Sequence, residues 1–117
     1  MVAPLDPQRI AELEDVLGPD FGSVLDSLEQ SIASAISDAD TALAAGDLAA
    51  TAYAAHRCRN DALMVGASQL QKELSALEDA ARGGELETAR STLARVRDHW
   101  PAAREELGRT ARRNASA

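Results

Sequence analysis

Few side chains in this 117-residue sequence can do chemistry, and the densest group of them lies between Ala54 and Ala67. His56 is followed by Arg57, Cys58, Arg59 and Asn60. On a helix, Arg59 and Asn60 stand three and four residues on and are the surface neighbours of the histidine. The apolar residues Leu48, Ala52, Ala55, Cys58, Ala62 and Val65 are spaced by three and four, the period of a helix face turned to a core. His56 lies roughly 100° round from Ala55, so its ring reaches water while its backbone is held by packing. A rigidly mounted, partly exposed imidazole with a cation one turn away suits a group that accepts and returns something anionic.

The other reactive residue types offer less. Cys58 is the single cysteine, so it forms no intramolecular disulfide, and its apolar phase marks it as a small core residue. His99 stands beside Trp100 with no pattern around it, and Trp100 falls in the apolar phase of its own helix. Glu78 and Asp79 are adjacent acids, but no partner acid is identifiable for general acid and base work. No cluster of metal ligands is legible near His56.

These residues must be positioned by helices, because the sequence holds no strand signal. Asp6-Pro7 reads as an N-cap followed by proline at the first helical position. Leu5 and Ile10 stand in hydrophobic-staple positions around it. A short first helix carries Ile10, Leu13, Val16 and Leu17, and Gly18-Pro19 ends it. Asp20 is placed to cap a longer second helix, in which Phe21, Val24, Leu25, Leu28, Ile32, Ala35, Ile36, Ala39 and Leu43 keep a three/four period. Gly46 closes it and Asp47 opens the third helix, Leu48 to about Val65, which carries His56 and stops at Gly66. A fourth helix from near Ala67 turns Leu70, Leu74, Leu77 and Ala81 inward until Gly83-Gly84 breaks it. The last starts near Glu85 and repeats Leu86, Ala89, Leu93, Val96, Trp100, Ala103 and Leu107. Its phase runs through Pro101, which predicts a kinked but continuous helix ending near Arg112. Short connections make consecutive long helices antiparallel. The expected fold is all-α: an up-down-up-down antiparallel four-helix bundle with a short additional N-terminal helix. It is one domain over residues 1–117, with a core from about 5 to 112 and a disordered tail at 113–117.

Composition agrees with that fold and limits the partners. Hydrophobic residues make up 45% but aromatics only 3%, so the core is aliphatic and close-packed. The net charge of -7 is unevenly placed. Residues 1–50 hold ten acids against Arg9 alone, nine net negative charges, whereas the remaining nine acids and eleven bases leave a net of +2. An acidic half argues against nucleic-acid binding, which needs clustered Lys and Arg. The short basic tail of Arg109, Arg112 and Arg113 is too sparse to reverse that. No apolar run approaches membrane-spanning length, and no basic-then-apolar leader precedes the first helix. A cytoplasmic protein, or a module cut from a larger one, is expected.

At the third helix the sequence resembles the histidine-containing phosphotransfer (HPt) domain. The family pattern is an Ala-His pair, a basic residue three after the histidine, and Gly-Ala ten and eleven after it. Here these are Ala55-His56, Arg59 and Gly66-Ala67. Leu70 and Leu77-Glu78 match the apolar position and the Leu-Glu pair further on. Gly18-Pro19-Asp20-Phe21 and Ala45-Gly46-Asp47 match the approach, so the resemblance runs from about Leu5 to Leu107.

The resemblance implies a cytoplasmic phosphorelay carrier, not an enzyme with its own catalytic centre. His56 is the implied phosphoacceptor, taking a phosphoryl group from a receiver aspartate and passing it on. Arg59 is the implied phosphoryl-stabilising cation, and Arg57, Asn60 and Leu63 line the docking surface. Gly66, Ala67 and Glu78 are structural, Glu78 as a hydrogen-bond acceptor. The implied partner is a response-regulator receiver domain, a hybrid histidine kinase, or both. The chain itself is expected to be a monomer with no cofactor of its own, magnesium residing on the receiver.

Three residues depart from the family pattern. Asn60 stands where glycine is usual, Asp61 where a small residue is usual, and Cys58 where leucine is common. A carboxylate near a phosphoryl group is unfavourable unless it points away or is paired. Asn60 and Asp61 therefore motivate an alternative, an HPt-like interaction module that docks a receiver or kinase without phosphotransfer. A structural oligomeriser, motivated by the long apolar phases of the second and last helices, is the third class.

Overall fold

The computed structural model describes residues 3–116. Helix α1 spans Pro7–Leu17 and begins as its sequence dictates: Asp6 is extended, and its carboxylate accepts the Gln8 N–H at 3.0 Å. Gly18 ends it at φ +53°, and a 3₁₀ turn, Gly18–Asp20, leads straight into α2, Phe21–Ala44. Asp20 does not cap α2 as expected. Its backbone is already helical (φ -86°, ψ -5°) and its side chain makes no cap bond, because a capping carboxylate needs the extended conformation that the 3₁₀ turn denies it.

Helix α3, Leu48–Met64, starts at Asp47, whose side chain accepts the Ala50 N–H at 3.0 Å. Helix α4 covers Ser68–Arg82 and α5 Leu86–Ser116. The three turns joining α2 to α5 share one design. A glycine (Gly46, Gly66, Gly84) takes a φ between +71° and +74°, and the next N–H returns to a carbonyl five residues back. These bonds are Asp47 to Ala42, Ala67 to Ala62 and Glu85 to Ala80, each 2.9 Å. Turns this tight force antiparallel neighbours. Accordingly α2 packs on α3 and α5, and α4 packs on the same two, which closes an up-down-up-down bundle.

The core is aliphatic, as composition requires. Every inward position expected on α2 is buried except the half-buried Val24, and the same holds for α3 and α5 with half-buried Leu48 and Leu86 as the exceptions. Leu70, Leu74, Leu77 and Ala81 of α4 all point inward. Helix α5 runs unbroken through Pro101, since Val96, Trp100, Ala103 and Leu107 pack on both sides of the proline and support the turn that lacks its bond. It also passes the end expected near Arg112 and stays helical to Ser116, so the expected tail is helical over 113–116. No glycine or proline interrupts that stretch, Ala111 is buried, and Arg113 donates to Thr110 Oγ1 at 3.2 Å. Ala117 lies outside the described residues.

Helix α1 lies over one end of the bundle, against the turn between α3 and α4. Asp6 N–H donates to Gly66 O at 2.9 Å and Arg9 Nε to Met64 O at 3.2 Å. The approach is close enough that a Cβ on Gly66 would stand 2.9 Å from Arg9 Cβ and 3.0 Å from Asp6 Cβ. Gly66 therefore does more than end α3, because it also admits the N-terminal segment. No described helix is long and apolar enough to cross a membrane.

Candidate functional site

The buried side of α3 (Ala52, Ala55, Cys58 and Ala62) fixes the helix and leaves His56 at its edge, with 46% of the side chain exposed. The ring is not loose. His56 Nδ1 lies 3.2 and 3.1 Å from the two carboxylate oxygens of Glu78, which reach it from α4. Glu78 is buried, its side chain 9% exposed. An ionised carboxylate only accepts, so Nδ1 carries the hydrogen, and in the neutral ring Nε2 keeps the free lone pair.

Glu78 is in turn gripped by arginines. Arg82, one turn along α4, places Nε and Nη2 each 2.8 Å from Oε2. Arg59 Nε approaches Oε1 at 3.2 Å, a charge contact whose alignment does not make a hydrogen bond. Burial pushes the Glu78 carboxyl up, but the hydrogen bonds from Arg82 and His56 and the charge of Arg59 outweigh it and hold it below the usual range. The carboxylate behind the ring is thus ionised at neutral pH.

The exposed face of α3 around His56 forms one stripe. Tyr53, His56, Arg57, Asn60, Leu63 and Met64 fall within about 120° of helix circumference. Tyr53 is 66% exposed, Leu63 60% and Met64 41%, unusual for such side chains. Arg57 donates to Asp38 of α2 at 2.9 Å, and its guanidinium lies 6.0 Å from the Tyr53 ring centroid. Asn60 is exposed one turn after His56.

The structure brings together His56, Arg59 and Glu78 as one cluster, with Arg57, Asn60 and Leu63 beside it. Gly66 and Ala67 lie apart from it, in the turn that α1 covers. Asp61 is turned the other way: Ser31 Oγ of α2 donates to its Oδ2 at 2.6 Å, so the carboxylate is paired and off the stripe. Cys58 is 1% exposed, with burial raising its thiol to about 12, which fits a core residue. Sequence reasoning missed Tyr53, Met64 and Arg82. Spacing held the signal for each, since Tyr53 and Met64 stand on either side of Arg57 and Asn60 at helical intervals, and Arg82 is four after Glu78. Among the described residues, no three His, Cys, Asp or Glu side chains gather to hold a metal ion.

Comparison with known proteins places this geometry. The model of the Hpt domain family matches residues 23–108. Among solved structures, the chain is similar to histidine-containing phosphotransfer protein B (HptB) from Pseudomonas aeruginosa PAO1, with a TM-score of 0.91 at 25% identity. The match covers 97% of this chain and 98% of that one. No curated protein matches the chain.

Proposed function

The chain belongs to the Hpt domain family, the histidine phosphotransfer carriers of phosphorelays, and we propose that within such a relay His56 is the residue that carries the phosphoryl group. Its donor and acceptor are aspartates of response-regulator receiver domains, standing alone or within a hybrid kinase, in the cytoplasm. The observation that carries this reading is the His56–Glu78 contact. It fixes Nδ1 as the protonated nitrogen and leaves Nε2 as a nucleophile on a half-exposed ring.

The chemistry follows from that geometry. The Nε2 lone pair attacks phosphorus in line with the bond to the receiver aspartate. An N–P bond forms, the P–O bond breaks, and the aspartate leaves as a carboxylate. Nδ1 keeps its proton, and the positive charge gained by the ring is offset by Glu78. The step is reversible with a second receiver. On the receiver's side a bound magnesium ion would supply charge compensation for the phosphoryl oxygens, while the charges contributed from this chain are guanidiniums. Arg59 adds positive potential one turn from the acceptor, and Arg82 keeps Glu78 ionised in place.

Docking uses the α3 stripe. Tyrosine, methionine and arginine are the residue types enriched at protein interfaces, and Tyr53, Met64, Leu63 and Arg57 surround His56 with them. Asp61 does not oppose transfer, because Ser31 holds it off the stripe. Asn60 is the remaining departure, a side chain at the point where the receiver must come close.

The test is transfer from a panel of phosphorylated receiver domains to the chain and to its His56→Gln variant. Acid-labile, alkali-stable label on the wild type alone is the expected result. No transfer to folded protein from any receiver would overturn the carrier reading in favour of a docking module that works without phosphate.

A further inference from the structure

The two nitrogens of the His56 ring face different sides of α3. Viewed down the helix axis, Arg59 stands about 60° to one side of His56, while Asn60 stands about 40° and Arg57 about 100° to the other. The contacts say which neighbour lies on each side. His56 Nδ1 and Arg59 both turn to Glu78 of α4, whereas Arg57 turns to Asp38 of α2. Nδ1 and Nε2 leave an imidazole in nearly opposite directions. A ring whose Nδ1 is drawn towards α4 therefore directs Nε2 away from α4, to the side where Asn60 stands.

The guanidiniums near the ring are already engaged. Arg59 lies 3.2 Å and Arg82 2.8 Å from Glu78, and Arg57 lies 2.9 Å from Asp38. Asn60 is exposed, and its amide has no hydrogen-bond partner among the described residues. Helical side chains lean towards the N-terminus, which carries the amide of residue 60 back over the turn that holds residue 56. The arrangement is particular to this histidine. His99 is likewise held at Nδ1 by a buried carboxylate, Glu73, at 2.8 Å, but the residue four after it is the buried Ala103.

We propose that Asn60 is a phosphoryl-binding residue: with His56 phosphorylated on Nε2, the Asn60 amide donates a hydrogen bond to a phosphoryl oxygen. The inference rests on the carrier reading of His56. A carboxamide offers two N–H donors and the phosphoryl oxygens accept them. Phosphorus leaves Nε2 through a loose transition state, in which those oxygens push electron density towards phosphorus as the N–P bond breaks. A donor on one oxygen holds that density back and favours the phosphorylated ring. Asparagine in place of the usual glycine thus lengthens the time for which the chain keeps its phosphoryl group. Being neutral, the amide binds the group less strongly than a cation would and still lets it go.

The experiment phosphorylates the full chain with phosphoramidate, which needs no receiver, and compares it with Asn60→Ala and Asn60→Asp. Fragmentation locates the label at residue 56, and its loss to water is followed with time. The expected result is a decay about fivefold faster in Asn60→Ala, the worth of one hydrogen bond. Decay should be faster still in Asn60→Asp, whose carboxylate repels the group. In ¹H–¹⁵N spectra of the wild type, one side-chain amide proton of Asn60 should move downfield on phosphorylation. Alanine favours the helix at this exposed position, so loss of fold does not mimic the result. Equal decay in the three chains, or an Asn60 amide unmoved by phosphorylation, overturns the role of Asn60 and leaves the carrier reading standing. No label at residue 56 instead overturns the carrier reading and this inference together.

Discussion

If His56 carries the phosphoryl group as proposed, Glu78 is the residue on which its chemistry rests, and its substitution separates orientation from fold. Glu78→Gln keeps the shape but removes the charge, so Arg59 and Arg82 lose their partner and Nδ1 its fixed acceptor. Phosphoryl transfer rates should fall by about tenfold or more. The same residue sets an acid dependence. Its carboxyl is held below the usual range, so its stabilisation is present above an unfolded value near 4.5 and is lost as pH falls below that. In urea titrations, the stability gap between wild type and Glu78→Gln should therefore be wide at pH 7 and narrow at pH 3. Asp61→Ala addresses the opposite side of α3. It should cost about 1–2 kcal/mol through the lost Ser31 bond and leave transfer unchanged, which the same titrations and a transfer assay would check. At Asn60, glycine should speed transfer while lowering stability by up to about 1 kcal/mol; slower transfer would show that the amide takes part in recognition. His56 and Cys58 are legible from helical phase alone. The grip of Glu78 on His56 is not, because it depends on how α4 packs against α3, which no local pattern encodes.

At the scale of elements, the turn between α3 and α4 does two things at one glycine. Gly66 holds φ +71° and also faces Asp6 and Arg9, whereas Gly46 holds φ +74° with nothing within 4 Å of where a Cβ would stand. Alanine at Gly46 should cost about 1–2 kcal/mol of backbone strain. At Gly66 it should cost more than that, because Asp6 and Arg9 must also move. Equal losses in denaturant titrations would mean that α1 is not held at this turn. Most elements are readable from sequence because glycines mark the turns and apolar residues keep phase for whole helices. Two features depart from that reading. Asp20 looks like a cap by residue type, but a preceding 3₁₀ turn fixes its backbone. The end of α5 lies beyond Arg112 although Asn-Ala-Ser has the composition of a tail, because Ala111 is buried against the bundle and Thr110 accepts from Arg113 in the last turns.

On the scale of the whole molecule, the bundle separates its roles by face. The acidic first fifty residues supply α1 and α2, while Arg59 and Arg82 collect at the α3–α4 seam beside His56 and Arg57 flanks it on the side of α2. A receiver presenting an acidic rim meets this seam favourably, so raising the salt should slow association more than dissociation. The apolar phases of α2 and α5 are consumed within one chain, which leaves those two helices little apolar surface for self-association. Sedimentation at micromolar concentration should give a monomer, and a stable dimer would revive the oligomeriser reading. In the proposed relay, Glu78 presents Nε2 of His56 as the phosphoryl acceptor. The most direct measurement is a two-dimensional ¹H–¹⁵N spectrum of the histidine rings before and after phosphorylation by a receiver domain. The expected result is a His56 ring protonated on Nδ1 that gains phosphorus on Nε2, with the His99 ring unchanged by that donor. Phosphorus on Nδ1, or a His56 ring unaltered while the chain takes up label elsewhere, would contradict it.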